Sequence, residues 1–188
     1  MTRRTLLLLV GILLGLLPLH PAGAELPLRA EGMEDRMIVP GVRVGKWTLA
    51  LTLDDFQRMH GYAVRTYVMA GVPPAADAVH DHFMFRWDRV PVTAAVFIGR
   101  KQVEFLQTGF LMPEGHLYRT DRGLAFLARR WKIVQAYGRP TAEMTPHPLE
   151  VRLIYDHLGI AFGLDMAGRA HTISIFRPGT ASRFWHLL

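Results

Sequence analysis

"VRLIYDHLGIAFGLDMAGRAHTISIF", residues 151–176, reads as a short strand followed by a hairpin, and that hairpin decides the fold class. Ile160, Phe162 and Leu164 alternate along one arm, and Ile173 and Ile175 along the other, which is the period of a half-buried strand. Between the arms, Ala167-Gly168-Arg169 supplies the glycine of a turn.

Upstream, "FIGRKQVEFLQTG" (97–109) sets beside "DMAGRAHTISIFRPG" (165–179) a Gly-Arg turn, an alternating strand and a closing glycine at matching offsets. This earlier hairpin turns across Gly99-Arg100-Lys101, and its second arm is expected to place Val103, Phe105 and Gln107 on one face. Just ahead of it, "HFMFRWD" (82–88) points Phe83, Phe85 and Trp87 one way and His82, Met84, Arg86 and Asp88 the other.

Each hairpin region follows a helix signal. In "LDDFQRMHG" (53–61), Thr52 stands at the N-cap, Asp54 and Asp55 suit the first turn, and Gly61 is the stop. Leu53, Phe56 and Met59 share one side of it. In "RTDRGLAFLARRWKIVQAYGRP" (119–140), Thr120 or Asp121 is the candidate cap, and Gly138 and Pro140 end the helix. Trp131, Ile133, Val134 and Tyr137 make its apolar stripe. Ahead of the first helix, Val42, Val44, Trp47, Leu49 and Leu51 alternate like a strand. Gly71, Pro73 and Pro74, and later "TAEMTPHP" (141–148), read as loops.

The expected fold is therefore α+β. Two tandem helix-plus-antiparallel-hairpin units, residues 38–110 and 111–180, share one sheet with the helices packed on one face, and 181–188 form a tail. Residues 38–179 resemble the tandem helix-plus-sheet domains of exported bacterial proteins that include the β-lactamase inhibitory protein and the small lipoprotein of the outer-membrane barrel-assembly machinery. The segments carrying the likeness are "VPGVRVGKWTLALTLDDFQRMHG" (39–61) and "LIYDHLGIAFGLDMAGRAHTISIF" (153–176). The resemblance implies an antiparallel sheet with an open face offered to a protein partner, and binding or scaffolding in place of catalysis.

The opening "MTRRTLLLLVGILLGLLPLHPAGAE" has the parts of a secretory signal: Arg3 and Arg4, an apolar run from Leu6 to Leu19, and small residues up to Ala24. Cleavage after Ala24 predicts a periplasmic or secreted protein, with 25–37 as a flexible mature N-terminus. Membrane contact is expected only if that segment stays as an uncleaved anchor, which would make the chain an accessory subunit of an inner-membrane complex. Removing residues 1–24 takes two arginines and no acid, lowering the formal net charge from +6 to +4. The remaining positive charge is dispersed, whereas nucleic-acid binders gather it on one face. Nucleic acid is excluded as a partner. There is no Cys, so stability rests on apolar burial.

Reactive groups are sparse. The chain has two serines, Ser174 and Ser182, neither in a G-x-S-x-G context. The acids Asp54, Asp55, Asp77, Asp81, Asp88 and Glu104 form no recognisable catalytic pair, and no catalytic residue or cofactor is assigned. "HDHF" is the one suggestive motif: in a strand, His80 and His82 point to the same side, as two ligands of one metal do. Asp88, His116 or His147 would have to supply a third ligand. This leaves a metal-dependent or carboxylate-based periplasmic hydrolase as the alternative function. The preferred expectation is a non-enzymatic envelope factor that binds another protein through the sheet face bearing His82, Met84, Arg86, Phe97, Glu104, Arg152 and Phe176. The closing "RFWHLL" (183–188) either folds back on the core or serves as a peg for a partner.

Overall fold

A computed structural model describes residues 36–63, 65–68, 82–97, 101–185 and 187–188, with the backbone alone at 65–68, 82, 83 and 97. The signal segment, most of the stretch expected to be flexible, and His80 lie outside the described residues; Met37, assigned to that stretch, opens the first strand. The elements are β1 (Met37–Val39), β2 (Arg43–Val44), β3 (Trp47–Thr48), α1 (Leu53–His60), β4 (Arg65–Val68), β5 (His82–Arg86), β6 (Thr93–Phe97), β7 (Gln102–Gly109), β8 (Arg119–Thr120), α2 (Arg130–Tyr137), β9 (Ala142–His147), β10 (Glu150–Tyr155), β11 (Ile160–Leu164) and β12 (Ala170–Phe176). Helices and mostly antiparallel sheets make an α+β protein, as the alternation predicts.

The main sheet has eight strands in the order β4-β5-β6-β7-β12-β11-β10-β9, each pair antiparallel. A small sheet, β3-β2-β1-β8, contains the one parallel pair among the described strands, β1 with β8. Residues 42–51 are not the single strand expected, because the chain turns at Gly45, in left-handed backbone with φ +56°, and folds β3 back on β2. Residues 65–68 form a further strand, and the stretch expected as loop at 141–148 holds the edge strand 142–147, whose Pro146 gives up a ladder donor as edge strands tolerate.

Helix α1 begins where the sequence places it. The Thr52 hydroxyl accepts the Asp55 N–H at 3.2 Å, and the Asp55 carboxylate accepts the Thr52 N–H at 2.8 Å, a reciprocal capping box. The Thr52 hydroxyl also donates to that carboxylate at 2.7 Å, and this bond, with the one from the Thr52 N–H and the nearby Arg58, holds the Asp55 carboxyl below the usual carboxylate range. Helix α2 differs: Thr120 lies in β8 and takes the Leu124 N–H, and the helix starts nine residues after Asp121 with Arg129 as an N-cap that makes no side-chain bond. Its first N–H, on Arg130, instead donates to the Gly168 carbonyl at 2.9 Å.

Phe56 of α1 and Ile133 and Tyr137 of α2 belong to one buried cluster with Ala94, Val96, Leu106, Phe162, Ile173 and Ile175 of the main sheet, and with Ile38, Val44 and Trp47 of the small one. Trp87 stacks on Phe56 with ring centroids 4.8 Å apart. Two β-bulges shift the alternation that the sequence suggests. Glu104 is left over between the pairs Val96↔Val103 and Ala95↔Phe105, so Val103 joins the main cluster and Phe105 the opposite one. His171 is left over in the same way between Leu164↔Ala170 and Gly163↔Thr172.

Candidate functional site

Of the residues expected on the partner-binding face, Met84, Glu104, Arg152 and Phe176 share one face, and it is covered. Met84, Phe105, Ile154 and Phe176 form a second buried cluster with Ala95 and Ala161, and the closing segment Ala181, Phe184, Leu187 and Leu188 covers them. Phe184 packs on Phe105 at 5.4 Å and on Phe176 at 6.1 Å between centroids. The tail is thus folded back on the sheet, the first of the two readings above. An open sheet face is corrected on this account: Phe176 is fully buried, and Met84 and Glu104 nearly so. Arg86 is exposed at the end of β5. His82 and Phe97 are paired across β5 and β6, and their side chains lie outside the described residues.

Charged groups hold the covering segment at both ends. Arg183 pairs with Glu104 at 2.9 Å, and that carboxylate is only 8% exposed. Arg152 donates through Nη1 to the Leu187 carbonyl at 2.6 Å and through Nε to Glu150 at 2.8 Å. Where the segment leaves the sheet, the Asp156 carboxylate accepts the Ala181 N–H at 2.9 Å. No main-sheet strand pairs with it.

Beyond the segment, the same face turns polar. Glu150 lies between Arg152 and His171, whose Nε2 is 3.7 Å away, and the His171 Nδ1 is buried without a hydrogen-bond partner. Gly163 makes room here, since a Cβ on it would sit 2.2 Å from the Thr172 hydroxyl and 2.6 Å from the Glu150 carboxylate. Ser174 is buried and takes a bond from Gln107 at 3.2 Å, which leaves it unlike an activated nucleophile. Register brings Glu150 and Gly163 to this side, and the bulge adds His171, which alternation within single strands does not reveal. Among the described residues, no group of three or more His, Asp or Glu is arranged to hold a metal; Asp88, His116 and His147 are all exposed and apart from one another in the fold. His80, with the His82 side chain, lies outside the described residues, so that site has no geometry here.

A different surface stands out at the end of the main sheet where β7 and β11 finish and β10 and β12 begin. Leu111 (92% exposed), Met166 (78%) and Trp131 (57%) project there, with Leu149 and Leu127 about half exposed. Backbone bonds fix several of these loops together: Leu127 N–H to the Ala170 carbonyl, Arg130 N–H to Gly168, and Phe110 N–H to His171. Leu127 is held at φ +62°, a conformation that bulky residues adopt rarely and that clusters at functional sites. Arg129 and Arg169 face one another in a backbone bridge beside it, with the Arg169 N–H on the Asp165 carboxylate at 2.8 Å.

No family model matches the chain, and no curated protein matches it. Among solved structures, it is similar to a DUF4309 family protein (YjgB) from Bacillus subtilis, at 14% sequence identity and a TM-score of 0.44, over 73% of this chain and 88% of that one.

Proposed function

We propose that this chain is an exported, non-enzymatic factor of the bacterial envelope that binds or helps assemble another envelope protein. The observation that carries this reading is the gathering of Leu111, Leu127, Trp131, Leu149 and Met166 at one end of the sheet, interspersed with Arg129 and Arg169. Exposed apolar side chains collected on one surface mark interaction sites, and a Trp, Met and Arg mixture is enriched where proteins meet.

We also propose that the chain is one helix-and-sheet unit written twice, as in the exported binding proteins it resembles. Matching bonds support this. Leu53 donates to the Lys101 carbonyl as Arg130 does to Gly168, and the Trp87 indole bonds the Gly61 carbonyl as the Tyr155 hydroxyl bonds Gly138. Glu104 and His171 occupy equivalent bulges.

The test is a photo-crosslinking amino acid placed at position 111, 131 or 166 of the exported protein in its own host, with position 177 as control. The proposal expects all three to join the same envelope protein and the control to join none. Crosslinks that do not differ between these positions and the control would refute it, and lipid adducts alone would assign the surface to a membrane.

A further inference from the structure

We infer that the covered face of the main sheet is a peptide-recognition site whose present occupant is the chain's own closing segment, and that it accepts a partner segment of the same chemistry: an arginine, then an aromatic residue, then a leucine three positions on. This stands independently of the apolar end and of the function proposed for it.

Two features point to recognition rather than plain core filling. The first is charge placed at both ends of the track. Glu104 lies almost buried on an otherwise apolar surface and meets Arg183, while Arg152, 15% exposed, meets the Leu187 carbonyl. Buried charges add little net stability over apolar groups of similar size. An acid at one end and a guanidinium at the other instead fix the direction and register of whatever lies between. The bulge at Glu104 supplies this arrangement, turning a carboxylate and the adjacent Phe105 onto the same face. Phe105 and Phe176 then form the aromatic seat for Phe184.

The second feature is how the segment is attached. It contributes no strand to the main sheet, and its 3-10 turn, Ala181–Phe184, is held by side chains and by the Asp156 carboxylate. The link to β12 is Arg177-Pro178-Gly179, with Pro178 packed against Gly41 and Gly159 and Gly179 at φ +80° donating its N–H to the Asp156 carbonyl at 2.9 Å. Lifting the segment about this link breaks that bond and the one from Ala181 to the Asp156 carboxylate, but no ladder bond. A covalently tethered occupant competes at high effective concentration, so an outside segment binds with an affinity reduced by the fraction of time the face is free.

The experiment measures binding of a fluorescein-labelled synthetic peptide of residues 180–188 to the whole protein by anisotropy. Arg183→Ala in the protein loosens the tethered segment while leaving Phe184 in place, and is expected to tighten peptide binding about tenfold over wild type. Adding Glu104→Gln to that variant is expected to abolish the gain, because the peptide's arginine then meets no carboxylate. A peptide with its arginine replaced by glutamate probes the same contact on the Arg183→Ala protein alone, should the double variant fold poorly. Equal affinity of wild type and Arg183→Ala for the peptide would overturn the inference, and so would equal binding of the two peptides.

Discussion

Helices α1 and α2 are the same length, end on glycines of the same conformation and bury residues in the same core, yet only α1 begins with a side-chain cap. Three neighbouring residues mark the start of α1: the Thr52 hydroxyl accepts the Asp55 N–H, the Asp55 carboxylate accepts the Thr52 N–H and suits the helix dipole, and Arg58 pairs with that carboxylate. At the start of α2 no side chain caps the helix, and its N-terminus is tied by the Gly168 carbonyl and by the Arg130–Glu143 pair, residues far away in sequence. Both first N–H groups donate to a hairpin carbonyl, Leu53 to Lys101 and Arg130 to Gly168, so the sheet holds both helices and only α1 adds a local cap. The same burial is reached by both routes, which is why a capped sequence and an uncapped one can serve one architecture.

Four measurements break or sharpen that contrast. The largest effect is expected for Ile133→Ala, which empties a fully buried site under the helix that depends on packing. It should cost about 3 kcal/mol in a denaturant melt, well above any change at the helix start. Next come Gly61→Ala and Gly138→Ala. Both glycines hold φ near +80° with extended ψ, and nothing lies within 4 Å of an added Cβ, so the penalty is conformational alone. About 2 kcal/mol is expected for each; unequal losses would show that the two ends are not equivalent.

Thr52→Ala should cost about 1 kcal/mol, while Arg129→Ser with Lys132→Glu, which writes a capping box onto α2, should gain a similar amount. No gain would mean that the bond to Gly168 already does what a cap does. The smallest effect is a pH dependence confined to the end of α1. Trp47 donates its indole N–H to His60 Nε2 at 2.9 Å, and burial, helped by Lys46, lowers the histidine's proton affinity. The unfolded chain therefore takes up the proton more readily than the folded one. This contribution is intact above the ordinary histidine value near 6.5 and is lost as pH falls through the lower folded value. Melts at pH 7.5 and 5.5 should separate wild type from His60→Gln, with the wild type losing more on acidification. At the end of α2, Tyr137 has its hydroxyl on Asp121 and its ionisation pushed up by burial, and no such acid response is expected there.

What was readable in the sequence follows the same division. Thr52, Asp55 and Gly61 announced α1 because a cap acts over three or four residues. The hairpin arms were visible in Ile160, Phe162, Leu164, Ile173 and Ile175, since alternation is local too. The start of α2 was not, because it depends on a carbonyl in the β11–β12 turn. The bulges at Glu104 and His171 were equally silent: one extra residue leaves composition and hydropathy unchanged yet moves Val103 and Phe105 to opposite faces. Hence alternation puts Met84 and Phe176 on one face, but it leaves their cover by Phe184, Leu187 and Leu188 as one of two readings. Nothing in a period-2 pattern says what lies on top of it.

The seam between β7 and β12 joins residues 105–109 to residues 172–176, a separation of more than sixty positions, whereas the other main-sheet pairs follow one another along the chain. Hairpins between successive strands close over short loops and form early, but this central pairing must wait until both flanking meanders exist. Its closure is therefore where the topology leads us to expect the folding barrier. Weakening a seam residue such as Leu106 or Ile175 should slow folding, while equal damage at the outer β9–β10 pair should chiefly hasten unfolding.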